Sequence, residues 1–187
     1  MSIDYTRLIN KEHPLPAAYV PHGLVDLGLP FTCPPSDPRR LLEKKAAHAA
    51  MELITRASQE GISLYCISGY RSYARQKELY RHTAYVAAPG TSEHQSGLAL
   101  DLSCPAVNME LIEAFADTPE GIWLARHAPL YGFVLRYPAN KESVTQYPYE
   151  PWHIRYVTRP LSAYLAKTGL VLEEYYAMSG KSSTMTV

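Results

Sequence analysis

Four residues of this 187-residue chain have the types and the setting for metal-assisted chemistry: His94, Asp101, Glu150 and His153. Two imidazoles and one carboxylate form a ligand set that suits zinc and leave one position for water. The remaining carboxylate would then deprotonate that water or pass its proton onward. His94 stands in a Gly/Ser loop, and Asp101 ends an apolar run, Leu98-Ala99-Leu100-Asp101. A carboxylate there needs a partner, because burying it unpaired is expensive. A metal, a helix cap or a salt bridge would each supply one. Glu150 and His153 pose a geometric problem. Helical i,i+3 spacing would put them on one face, but Pro151 opposes a regular helix. In a straight strand they would point to opposite faces. A bend near Pro151 is required if both enter one site. Taken singly, each of these residues has an ordinary structural explanation. That explanation is kept for His13, His22, His48, His82 and His127, the last two of which stand near predicted helix ends.

The elements that must position these groups are partly visible. Residues 1–36 are rich in Pro and irregular, yet Leu15, Tyr19, Leu24, Leu27, Leu29 and Phe31 are too apolar for a free tail. They are expected to lie as an arm over the core. Asp37-Pro38 has the form of an N-cap and first-turn proline. Leu42, Ala46, Ala49, Leu53 and Ala57 follow at helical spacing, and Gly61 closes that helix. Residues 64–67 predict a strand, and Ser72 a cap for a helix running to about His82. Residues 87–95 predict a loop, 98–102 a strand, 108–116 a helix and 118–128 another. Strands are expected at 132–137 and 149–157, the second interrupted near Pro151, with a hairpin or loop at 140–147 between them. A late helix opens at Thr158-Arg159-Pro160 and closes at Gly169, and residues 172–178 add a turn or two. The mixture predicts an α+β catalytic domain over 37–178, a small and mainly antiparallel sheet flanked by helices with the metal in a central cleft. Residues 179–187 are expected to fray.

Composition narrows the function classes. Eighteen basic and 18 acidic residues cancel, so no nucleic-acid partner is expected. A charged fraction of 19% beside 47% hydrophobic residues argues against disorder. A compact chain of this size buries roughly 70% of its unfolded surface without staples. Cys33, Cys66 and Cys104 lack C-x-x-C spacing, which excludes a thiolate zinc knuckle and leaves at most one disulfide. No run approaches the length of a membrane span, and the first residues lack a signal-peptide pattern. The expected location is cytoplasmic as the sequence stands, or extracytoplasmic if an anchor or signal has been removed.

Ser92-Glu93-His94-Gln95-Ser96-Gly97-Leu98-Ala99-Leu100-Asp101 resembles the S-x-H-x-x-G-x-A-x-D signature of zinc D,D-peptidases of the VanY and VanX kind. Glu150-Pro151-Trp152-His153 resembles their E-x-x-H signature, and Ser68-Gly69-Tyr70-Arg71-Ser72 their S-G-Y-R-S segment. The segments 10–16, 131–138 and 172–175 match the surrounding framework, so the resemblance runs from about residue 8 to 177. It implies that His94, Asp101 and His153 bind one zinc ion. It implies that Glu150 is the general base and then the acid for the leaving amine, and that Arg71 stabilises the oxyanion. Gln76 and Ser92 are implied near the substrate. Tyr70, Trp152 and Tyr156 are either groove walls or packing residues, and Gly97 is expected to permit a close backbone approach.

Two features depart from the family pattern. The stretch between Arg71-Ser72 and Ser92 is short, which predicts an open cleft with room for a peptide chain. Thr158 stands where relatives commonly place Gly. The resemblance implies a D,D-carboxypeptidase removing terminal D-alanine from peptidoglycan stem peptides or muramyl peptide precursors. The alternatives are an L,D-carboxypeptidase on tetrapeptide stems and a dual D,D-dipeptidase/carboxypeptidase. A non-catalytic module that binds cell-wall peptides would be expected to lack Glu150 or a zinc ligand, and all are present.

Overall fold

The computed structural model describes residues 3–81 and 86–180. Its centre is a four-stranded sheet of β3 (Tyr65–Ser68), β4 (Ala99–Ser103), β5 (Phe133–Tyr137) and β6 (Glu150–Tyr156). The order is β3-β4-β6-β5 and every pairing is antiparallel, as the sequence predicts. A two-stranded ribbon, β1 (Leu24–Val25) with β2 (Leu42–Glu43), leads into helix α1 (Lys44–Gln59). Helix α2 (Tyr73–Leu79) follows β3, and α3 (Pro119–His127) lies between β4 and β5. The short α4 (Glu142–Thr145) connects β5 to β6, and α5 (Arg159–Thr168) and α6 (Leu172–Ser179) follow.

Strand periodicity sorts the sheet into two faces. Cys66, Leu100, Leu102 and Ile154 share a core cluster with Ala50, Leu53 and Ala57 of α1. Alanines on the inner stripe of α1 let the helix approach closely, and Leu53, fully buried, contributes about 2 kcal/mol of transfer free energy. The intervening residues Asp101 and His153 take the other face, and a register shift between Cys66 and Ser68 brings Ser68 onto it as well. Ser68, Asp101 and His153 are successive cross-strand partners and form one row across β3, β4 and β6. A second cluster gathers Leu8 of the N-terminal segment with Val157, Leu161, Leu165 and Leu172. All three cysteines are buried and unpaired, and burial pushes the Cys66 thiol well up.

Several boundaries differ from the sequence expectation. The helix expected from Pro38 starts at Lys44, where Glu43 is the cap and its carboxylate accepts from Lys45 and Ala46 N–H. Asp37 caps only a 3-10 turn, Pro38–Arg40. The backbone beyond it is committed elsewhere. Gly69 and Tyr70 N–H donate to the Arg39 and Leu41 carbonyls, and Glu43 N–H donates to the Gly97 carbonyl. The helix expected at 108–116 is absent. Asn108 and Met109 have φ of 53° and 61°, which breaks a right-handed helix after a 3-10 turn at Pro105–Val107, and the segment itself carries only a second 3-10 turn, Glu113–Asp117. Residues 140–147, expected as a hairpin or loop, contain α4, and Gln146 ends it at φ 60°. The expected end of α2 near His82 lies outside the described residues.

Candidate metal centre

His94 sits on a 3-10 turn, Glu93–Ser96, that ends at Gly97 with φ 70°. A side chain at Gly97 would meet Leu24 Cδ2 at 2.9 Å and Glu43 N at 3.1 Å, so the close approach expected there is real. The turn is anchored on both sides. Arg71 N–H donates to the His94 carbonyl, and His94 Nδ1 lies 2.6 Å from the Gly69 carbonyl. That bond turns His94 Nε2 toward Asp101 Oδ2, 3.1 Å away. From β6, His153 presents Nδ1 to Asp101 Oδ1 at 2.9 Å. One donor atom each from His94, Asp101 and His153 lies within 4.8 Å of the others, and all three residues are buried. Two imidazole nitrogens and a carboxylate converging at this separation fit a single zinc ion and leave a coordination position open.

Glu150 joins the site through the bend the sequence requires. The β5–β6 register runs Leu135 to Ile154 and then Tyr137 to Glu150, so β6 carries extra residues at Pro151 and Trp152. This bulge brings Glu150 Oε2 within 3.8 Å of His153 Nδ1. Burial pushes the Glu150 carboxyl up to about 7, against the opposing pull of His153. Burial acts the same way on Asp101, but His94 and His153 outweigh it and hold that carboxyl well below the usual carboxylate range. His94 is held down, by burial first. His153 is pushed up to about 10, because its bonds to Asp101 and Glu93 outweigh burial.

Arg71 reaches the same pocket. Its guanidinium donates to Gln76 Oε1 at 3.0 Å and Ser68 Oγ at 3.1 Å, and comes within 4.0 Å of Asp101 Oδ2. Gln76 is itself buried, and its amide nitrogen donates to the Ala87 carbonyl. Both ends of Gln76 are thus occupied by the protein, and it is not among the residues lining the pocket. Ser92 does line it. The cleft has a volume of about 660 Å³, and Leu111, Ile112, Trp152, Tyr137 and Tyr147 are among the residues that line it. Trp152 is therefore a groove wall. Tyr156 packs instead on Tyr5 and Phe133, away from the cleft. Leu111, Ile112, Glu113, Tyr137, Tyr147 and Glu93 are pocket residues that the sequence analysis did not single out. Only Glu93 carried a signal, an acidic residue inside the His94 motif.

A family model described as VanY: D-alanyl-D-alanine carboxypeptidase matches residues 39–159. The chain belongs to this family. Its sheet, cleft and histidine–aspartate cluster are those of a LAS-type zinc metallopeptidase. Among curated relatives, YodJ of Bacillus subtilis (strain 168) is 41% identical over 179 residues, 90% of this chain and 66% of that protein. A D-alanyl-D-alanine carboxypeptidase of Enterococcus faecium is 40% identical over 149 residues, 78% of this chain and 47% of that protein. The chain thus spans two thirds or less of the length of these two relatives. Among solved structures, the LdcB LD-carboxypeptidase superposes with a TM-score of 0.86 at 42% identity, covering 91% of this chain and 84% of that one.

Proposed function

We propose that this chain is a zinc-dependent L,D-carboxypeptidase that removes the terminal D-alanine of peptidoglycan tetrapeptide stems. The observation that carries this reading is the likeness to LdcB along almost the whole chain, which supports the L,D alternative above the D,D activity that the motifs suggested. An open cleft of about 660 Å³ with an apolar wall at Leu111, Ile112 and Trp152 is consistent with a peptide substrate rather than a free dipeptide alone.

His94, Asp101 and His153 would hold the zinc, whose Lewis acidity polarises the scissile carbonyl and acidifies a water. Glu150 takes a proton from the attacking water as the new C–O bond forms. It then delivers that proton to the amide nitrogen as the C–N bond breaks, releasing D-alanine. A carboxyl pushed up toward neutrality by burial suits both halves of this cycle. Arg71, held by Gln76 and Ser68, aims its fork at the carbonyl oxygen as charge develops there. Gln76 acts here as the residue that orients Arg71. Ser92, at the pocket wall, is placed to contact the substrate.

The test is incubation of the zinc-loaded protein with a muramyl tetrapeptide, the matching pentapeptide ending in D-Ala-D-Ala, and free D-Ala-D-Ala, each followed by mass spectrometry with a chelator control. Chelator-sensitive conversion of tetrapeptide to tripeptide is the expected result. Conversion of pentapeptide to tetrapeptide with no further trimming would overturn the L,D assignment in favour of D,D activity. In the same assay Glu150→Gln should retain zinc while turnover falls by roughly 10²–10⁴-fold.

A further inference from the structure

Each metal-facing imidazole has a second ring nitrogen that points away from the site. His94 spends it on the Gly69 carbonyl, 2.6 Å away. His153 spends it on a carboxylate, since its Nε2 lies 3.4 Å from Glu93 Oε2. We infer that Glu93 is a positioning residue that holds His153 in the Nε2-protonated tautomer, so that its Nδ1 lone pair faces the zinc position.

The geometry around Glu93 is specific to this task. Its side chain is fully buried, beside two guanidinium groups that are equally buried. Arg136 Nε donates to Oε1 at 2.7 Å and Arg155 donates to the same oxygen at 2.8 Å. Both cations therefore hold Oε1, and Oε2 is left for His153. An ionised carboxylate only accepts hydrogen bonds, so the metal-free imidazole is protonated toward both Glu93 and Asp101, and once zinc takes the place of the Nδ1 proton the nitrogen facing Glu93 must keep its own. The other nitrogen, Nδ1, is the one 2.9 Å from Asp101. A carboxylate behind a ligating histidine fixes ring orientation and raises ligand basicity. A backbone carbonyl, as behind His94, carries no net charge, so the two imidazoles are not equivalent.

The two arginines that hold Glu93 are held in turn by chain segments outside the family-matched span. Arg136 spends its remaining nitrogens on Glu173 of α6, which also accepts from Asn10. Arg155 donates to the Tyr5 and Arg7 carbonyls. The N-terminal segment and α6 thus clamp the two arginines, the arginines clamp Glu93, and Glu93 orients His153.

This role presupposes the metal site of the proposed peptidase but not its L,D specificity, so the readout is zinc affinity rather than turnover. Zinc affinity would be measured by competition with a chromogenic chelator. Glu93→Gln alone strands two buried arginines and is prone to unfold. Two variants avoid that. Glu93→Asp keeps the charge but withdraws the carboxylate by one methylene. The double variant Glu93→Gln/Arg155→Met keeps the charge balance, and Arg155→Met alone is its control. Thermal unfolding identifies which variants fold. We expect roughly 10–100-fold weaker zinc binding in each folded Glu93 variant, the range typical of a lost partner behind a ligand. Arg155→Met alone should stay within threefold of the parent. In the zinc-loaded parent, long-range ¹⁵N–¹H spectra should show a slowly exchanging His153 Nε2 proton that the Glu93 variants lose. A zinc affinity reduced less than tenfold in the folded Glu93 variants, or reduced equally by Arg155→Met alone, would overturn the assignment. Failure of both Glu93 variants to fold while Arg155→Met folds would also overturn it, by making Glu93 a folding residue first.

Discussion

Two clusters of buried charge meet at His153, and they are built on opposite principles. On one side, Asp101 and Glu150 face a single guanidinium, Arg71, with the imidazoles of His94 and His153 between them. On the other, Glu93 and Glu173 meet Arg136 and Arg155, so two carboxylates balance two cations. The balanced cluster is complete within the chain. The other is kept neutral by protons, since the Glu150 carboxyl is pushed up to about 7 and the His153 imidazole to about 10, and its donor atoms converge within 4.8 Å. A metal ion can replace such protons, whereas a closed set of ion pairs offers none to replace. Convergent donors balanced by removable protons therefore mark the place for a divalent metal, and the balanced neighbour is the frame that keeps one ligand in line.

The comparison can be broken most sharply at Asp101. Asp101→Ala removes one ligand and the carboxylate that both imidazoles face, and zinc affinity should fall by roughly a thousandfold or more, about one ligand's share of a typical zinc-site free energy. Chelator competition checks this, and full occupancy would remove Asp101 from the ligand set. In the balanced cluster the damage should instead appear in stability. Arg136→Met leaves Glu93 and Glu173 short of a fully buried partner, which should cost about 3–5 kcal/mol in urea unfolding. A loss below 1 kcal/mol would mean that water or rearrangement replaces the guanidinium.

The sign reverses at Glu150. Its carboxyl is pushed up to about 7, so the folded metal-free protein holds this proton more tightly than the unfolded chain does. That contribution is present below the ordinary carboxylate range and is lost as pH rises through about 7. Metal-free Glu150→Gln should therefore be more stable than its parent at pH 8, by something on the order of 2–3 kcal/mol, with the gap closing near pH 4. Equal melting temperatures at pH 8 would show that Glu150 ionises there without penalty. The smallest effect is expected at an exposed pair. Arg75 and Glu78 on α2 are mostly exposed, and Glu78→Gln should shift stability by no more than about 0.5 kcal/mol, falling with salt. A larger change would show that exposed and buried charge are less different here than the two clusters imply.

Local chemistry made much of the fold legible. Ser72 accepts from Arg75 N–H and Thr118 from Gly121 N–H, each capping the helix expected after it. Gly169 closes α5 in the left-handed region. The apolar run ending at Asp101 placed that residue on a strand, and the folded sheet turns its side chain away from the Leu100–Leu102 face. Segments whose backbone bonds are made to distant residues were less legible. Residues 39–43 look like a helix start, but Gly69, Tyr70 and Gly97 take up their polar groups. Residues 108–116 have helical composition, yet two left-handed residues divert the chain and bring Leu111 and Ile112 to the cleft wall. The family resemblance implied Gln76 near the substrate, but only the folded chain shows its amide engaged by Arg71 itself.

The family resemblance implied which carboxylate acts as the base; the sequence by itself put forward the residues that could ligate a metal and the mainly antiparallel α+β class. These depend on residue type, short spacing and local caps, all of which act within a few positions of the chain. The tertiary structure alone decided how those residues meet. The β6 bulge turns Glu150 into the site, the cross-strand register sets Asp101 against His153, and the Arg136–Glu93–Arg155 frame joins residues more than 40 positions apart. Such contacts depend on the energy of burying charge in pairs, which no local spacing encodes.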